Sequence, residues 1–163
     1  MMVSAALLLI LGSFHQVLPE SHSLTTLSTL INGRTPFPEF NILLLVNDVP
    51  VEKYDSTVQK IVPLTPWSSS DTVEDVKSKE VFVLHNKKSM QRTMGYMMEL
   101  HRHSGGVQVC QMLCSCRLDN GSLTQLYLLD GYNGEEVNSY DALKQKQNTS
   151  IQGLMWNEER LEI

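Results

Sequence analysis

The segment Val46-Asn47-Asp48-Val49-Pro50-Val51-Glu52-Lys53-Tyr54-Asp55 returns later in the chain as Tyr132-Asn133-Gly134-Glu135-Glu136-Val137-Asn138-Ser139-Tyr140-Asp141, with Asn, Val, Tyr and Asp repeated at a constant offset of 86. Asn32-Gly33 and Asn120-Gly121 stand at nearly the same offset and predict the same role, a turn between the first two strands of each copy. A chain built this way has to fold as two versions of one unit, each of several strands followed by a helix.

The strands of the second copy are the easier to place. From Val107 the residues alternate, so Cys110, Met112, Cys114 and Cys116 share one face of a strand, and Val109, Gln111 and Leu113 share the other. Asn120-Gly121 then separates this run from Leu123 to Leu129. Asn-Gly between two apolar runs is a hairpin signal because both residues tolerate positive φ. Asn133-Gly134 opens the next strand.

In the first copy, Leu24 to Ile31 reads as a strand closed by Asn32-Gly33-Arg34, with Pro36 and Pro38 holding the connection extended. Phe40 to Val46 is almost continuously apolar, as in a strand buried on both faces. Val49 to Tyr54 and Gln59 to Pro63 supply two more. A long helix follows, from about Asp71 to His103, with Asp71 and Glu74 as an imperfect capping box and Ser104-Gly105-Gly106 as its stop. Val73, Val76, Val81, Leu84, Met90, Met94, Met97 and Leu100 form its apolar stripe. Arg92, His101, Arg102 and His103 lie toward its end as a solvated, dipole-favoured set. The repeat would start a second helix near residue 157, so the chain up to Ile163 reads as holding only its first turn or two. A floor left open in this way would expose Met112 and Cys114 and make the chain poorly soluble.

With 163 residues, 42% hydrophobic and 19% charged, the composition is that of a soluble globular protein, and a net charge of -5 provides no basic stripe for nucleic acid. The apolar run from Met1 to Leu11 is too short to cross a bilayer and reads as a signal peptide over residues 1–20. In a secreted chain Asn120 and Asn148 become candidate glycan acceptors, and three cysteines leave at least one without a partner. The domains expected are 1–20, the signal peptide; 21–104, strands plus the long helix; and 105–163, strands plus the start of a second helix.

Ser21-His22-Ser23, Pro38-Glu39-Phe40, Tyr54-Asp55-Ser56, Pro66-Trp67, Gly105-Gly106-Val107, the spacing of Met112 to Cys116, and Tyr132-Asn133-Gly134-Glu135-Glu136 resemble, in the same order, the major histocompatibility complex class I heavy chain. The resemblance implies an α+β platform in which helices lie across an eight-stranded antiparallel floor with a groove between them. It also implies association with beta-2-microglobulin and recognition by a lymphocyte receptor. By the family's facing, the groove floor would show Thr26, Ser28, Phe40, Ile42, Leu44, Cys110, Met112 and Cys114, and the wall Met90, Met94, Met97 and Trp156. Each of these could equally serve to pack helix on sheet. Cys116 resembles the cysteine that bonds to the second helix, whose partner position would lie beyond Ile163.

Departures from the family bear on function. Thr26 stands where peptide-presenting members carry a first-strand tyrosine, Asp75 or Val76 falls near an early helix tyrosine, and Met155 replaces a usual lysine, although Trp156 matches. The hooks that clamp peptide termini are mostly missing, and the floor is short of hydrogen-bonding groups, which suits an apolar ligand or an empty groove. An ordinary peptide presenter with altered anchors and a secreted carrier of small apolar molecules are the alternatives. No nucleophile elbow, phosphate loop or metalloprotease motif is present, so no enzyme is expected, and the cysteine spacing lacks the paired pattern of a structural zinc site. No cofactor is expected.

Overall fold

The computed structural model describes residues 20–69 and 73–149. Outside them lie most of the expected signal peptide, the Asp71 cap, Met155, Trp156 and the start of the expected second helix.

Eight strands form one antiparallel sheet: β1 (Ser21–Asn32), β2 (Phe40–Val46), β3 (Val49–Asp55), β4 (Lys60–Pro63), β5 (Gln108–Asp119), β6 (Ser122–Tyr132), β7 (Glu135–Asp141) and β8 (Lys146–Thr149). Their order across the sheet is β4-β3-β2-β1-β5-β6-β7-β8, so the first strand of each half meets the other at the centre, paired from Ser21 with Asp119 to Asn32 with Gln108. A short 3-10 turn (Pro66–Ser69) leads toward α1 (Val73–Leu100), which lies over β1 and β5.

The two halves repeat in atomic detail. At the β2–β3 turn Asn47 and Asp48 both have positive φ, 49° and 63°; at β6–β7 Asn133 and Gly134 have 51° and 87°. Two successive positive φ values define the tight hairpin turn whose twist matches its strands. Asn47 Oδ1 accepts from the Ser23 amide at 2.8 Å, and Asn133 Oδ1 from the Val109 amide at 2.9 Å. Each turn asparagine thus ties its hairpin to the first strand of its own half. Asn32-Gly33 is not the counterpart of Asn120-Gly121. The latter is a two-residue hairpin with φ of 51° and 77°, whereas β1 and β2 are joined by residues 33–39, where Pro36 and Pro38 have no N–H to pair. Gly33, with φ of 119°, is required for another reason: a Cβ there would sit 2.8 Å from the Gly106 carbonyl oxygen.

β2 is less enclosed than its run of apolar residues suggests. Phe40 and Ile42 are buried beneath α1, at 0% and 5% exposure, while Leu43 and Leu45 on the opposite face remain half-buried. The helix also turns a different face inward. Val76, Val81, Leu84 and Leu100 are exposed, and the inward residues are Phe82, Val83, Asn86, Ser89, Met90, Thr93, Met94 and Met97. Asn86, Ser89 and Thr93 are buried polar positions, so the true inner stripe carries a weak hydrophobic signal and the neighbouring apolar residues mimic one. α1 also ends earlier than expected. Arg102 takes φ of 53°, its amide donates to the Glu99 carbonyl at 3.1 Å and that of His103 to the Met98 carbonyl at 2.8 Å, a left-handed cap completed before Gly105. Glu74 and Asp75 occupy the first turn, but the last turn holds no basic residue.

Candidate ligand-binding groove

The helix-facing side of the sheet divides into a packed end and an open end. At the packed end Met90, Met94 and Met97 from α1 join Leu30, Phe40, Ile42, Cys110, Met112, Tyr132 and Val137 in one buried cluster, with Met94 Sδ 3.8 Å from Cys110 Sγ. The methionines expected as groove wall are therefore core. Unbranched thioethers fill the irregular space between helix and strands and leave none for a ligand. Met112, expected to be exposed, is only 9% accessible, while Cys114 is half-buried.

Hydrogen bonds close this end. Tyr132 Oη donates to Gln108 Oε1 at 2.8 Å, Asn133 Nδ2 donates to the same oxygen at 2.6 Å, and His103 Nδ1 lies 2.7 Å from Tyr132 Oη. With the single tyrosine proton committed to Gln108, the His103 contact requires Nδ1–H as donor, which fixes the ring's tautomer. Burial, the largest cause, raises the Tyr132 pKa. His101 stacks on both rings, with centroids 5.5 Å from His103 and 5.8 Å from Tyr132. These histidines are tied into the fold through Tyr132, rather than forming a purely solvated helix end.

The open end is a cavity of about 320 Å³ beneath the first half of α1. Thr26, Ile42, Leu44 and Cys114 of the expected floor line it, together with Cys116, while Ser28 is buried outside it. Its wall is Phe82 and Val83, which neighbour Val81 and Leu84 of the expected apolar stripe and were not among the expected wall residues, and Leu24 and Leu126 extend its base. Leu126 pairs with Cys116 across β5 and β6 because a bulge beside Arg117 and Leu118 shifts the register by one; the plain Asn120-Gly121 hairpin register would have set Gln125 there, so this neighbour was hidden from sequence. Burial, followed by the neighbouring Cys116, pushes the Cys114 thiol up to about 11, so it stays protonated and chemically quiet at neutral pH. Cys110, Cys114 and Cys116 are all free thiols.

One ion pair borders the cavity. Lys79 Nζ stands 2.6 Å from Glu52 Oε1, and the Glu52 side chain retains 8% exposure. No sequence signal marked this pair, because its partners lie on a strand and a helix 27 residues apart. Elsewhere, Asn120 is exposed in the β5–β6 turn, with Oδ1 accepting from the Glu20 amide at 3.2 Å, and Asn148 is exposed on the edge strand β8. Among the described residues no three His, Cys, Asp or Glu side chains gather closely enough to hold a metal ion, and no helix is long and apolar enough to cross a membrane.

No family model matches the chain. It is similar to zinc-alpha-2-glycoprotein of Bos taurus, with 27% identity over 142 residues covering 85% of this chain and 48% of that protein. The chain thus spans about half the length of the relative it matches. That relative is a class I-like molecule, and an eight-stranded antiparallel sheet crossed by one long helix is the class I platform. The likeness to that relative, together with the eight strands and one long helix of the described residues, fits the major histocompatibility complex class I antigen-recognition platform.

Proposed function

We propose that this platform belongs to a non-catalytic immune-recognition protein of the extracellular or cell-surface environment, whose groove holds a small apolar ligand instead of a peptide. The observation that carries this is the cavity of about 320 Å³ at the open end, with Leu24, Leu44, Cys114 and Leu126 among its lining. Thr26 occupies the position of a peptide-clamping tyrosine and lines the cavity. A peptide backbone buried there would leave amide groups unpaired, at a cost of roughly 1–3 kcal/mol for each one. An apolar chain has no such groups to satisfy.

The underside of the sheet supports a second component of the proposal. Leu43, Leu27, Leu113 and Leu129 stand side by side across β2, β1, β5 and β6, in one row on the face away from α1. Half-buried or exposed leucines in a continuous row suit a covering partner. By family likeness that partner is beta-2-microglobulin, with a lymphocyte receptor approaching the helix side. Glycans on Asn120 and Asn148, both exposed, fit passage through the secretory pathway.

Expression in a secretory host, followed by mass spectrometry of material extracted from the purified protein, tests the ligand class. Apolar small molecules in stoichiometric amount are expected. Recovery of peptides of uniform length would overturn the proposal.

A further inference from the structure

Between the packed and open ends lies a belt of buried polar groups without partners. Thr26 Oγ1 and Ser28 Oγ on β1, and His85 Nε2, Asn86 Oδ1 and Ser89 Oγ on α1, make no hydrogen bond. Thr26, Ser28, Asn86 and Ser89 are 8%, 2%, 4% and 4% exposed. Their neighbours place them along the same stretch of the helix–sheet interface. Along α1, Val83 lines the cavity and Met94 meets Cys110, so Asn86 and Ser89 fall between. Beneath, Cys114 lines the cavity, and Met112, the next residue toward Cys110 on that face, pairs with Ser28 as Cys114 pairs with Thr26.

Each orphaned group costs roughly 1–3 kcal/mol. Such a belt is therefore a standing expense in a helix–sheet interface where alanine, valine or leucine would pack for nothing. Its chemistry is also specific. Asn86 Oδ1 is a carbonyl oxygen and needs a donor, while the hydroxyls of Thr26, Ser28 and Ser89 can give or take a proton. Glu52 and Lys79, which line the cavity, are engaged with each other at 2.6 Å.

We infer that the groove takes an uncharged single-chain amphiphile, an alcohol or amide, whose chain lies in the cavity and whose hydrogen-bond donor reaches the belt of Thr26, Asn86 and Ser89. A free carboxylate is disfavoured because its charge would be buried while Lys79, which lines the cavity, is already engaged by Glu52. A volume of about 320 Å³ sits at the low end for ligand pockets, which favours a short chain. This inference rests on the proposal that the groove binds an apolar ligand.

Decane, decanol and decanoate, each competing with an environment-sensitive fluorescent probe on the full chain at pH 7, separate the two ideas. Decanol is expected to bind about fivefold to tenfold more tightly than decane, the worth of one buried hydrogen bond. Asn86→Leu and, separately, Thr26→Val are expected to bring decanol down to parity with decane while leaving the melting temperature no lower than in the unaltered protein. Equal binding of decane and decanol, tightest binding by decanoate, or a preference untouched in both variants would overturn the inference and leave the apolar-ligand proposal standing. Failure of all three compounds to compete would overturn both.

Discussion

Val51 and Val137, 86 positions apart, are the extra residues of two equivalent β-bulges. Leu44 pairs with Glu52 and Leu45 with Pro50, while Asp130 pairs with Asn138 and Gly131 with Glu136, so one valine is left over in each half. Both are buried, at 2% and 4% exposure. A bulge shifts by one residue which side chains face the helix. In the first half it brings Glu52 to the cavity beside Leu44. Deleting Val51 leaves Glu52 opposite Leu44 in a regular ladder, so the Glu52–Lys79 pair is expected to persist in the lysine ammonium region of an NMR spectrum while loss of the buried valine lowers the melting temperature.

The turn asparagines give a finer contrast. Asn133→Gly keeps the positive φ and removes the hydrogen bonds to Val109 and Gln108, and should cost about 1–3 kcal/mol. Asn133→Val removes the same bonds and also forces a β-branched residue to φ of 51°, and should cost at least about 1 kcal/mol more. Urea denaturation of both variants measures the difference; equal losses would show that the backbone conformation carries no energetic weight.

Two substitutions on α1 separate its inner and outer faces. Met97, at 1% exposure, should lose about 2–5 kcal/mol on replacement by alanine. Val81, at 68%, should change stability by less than about 0.5 kcal/mol. Chemical melts of the two variants decide between the observed face and the stripe on which Val81 and Leu84 would point inward.

The half-buried ion pair should behave asymmetrically. Lys79→Met leaves the Glu52 carboxylate without its ammonium partner and should destabilise by about 1–3 kcal/mol, whereas Lys79→Met with Glu52→Gln should recover most of that loss. A double-mutant cycle in thermal denaturation reads it directly, and equal losses in the single and double variants would contradict it.

Asp119 governs part of the acid limb. Hydrogen bonds from Ser21, Thr124 and Arg117 hold its carboxyl at about 2. A folded-state pKa below the ordinary carboxylate value, about 3.9, means stability that is present above that value and is lost as pH falls toward 2. Asp119→Asn should therefore flatten the stability profile between about pH 4 and pH 2 and leave its slope near neutrality unchanged, as measured by melting temperature against pH.

Much of the fold was legible without coordinates because its signals are local. Asn47-Asp48, Asn120-Gly121 and Asn133-Gly134 name their own turns through the φ values they tolerate. The alternation from Cys110 to Cys116 declares one face of a strand. The repeated Asn, Val, Tyr and Asp belong to the second hairpin of each half, where the turn bond and the bulge recur. Order among motifs was enough to suggest the class I platform.

What tertiary structure alone decided was where space remains. Whether a floor residue is core or cavity depends on how closely α1 approaches at that point, and no residue carries that distance. Phe40 and Leu44 share a strand and a face, yet Phe40 is wholly buried and Leu44 lines the cavity. Helix rotation was equally hidden, because Asn86, Ser89 and Thr93 face inward while Val81 and Leu84 face out, against the hydrophobic pattern. Local chemistry sets turns and strand faces; the depth and polarity of a groove are properties of the gap between elements, and exist only once those elements have packed.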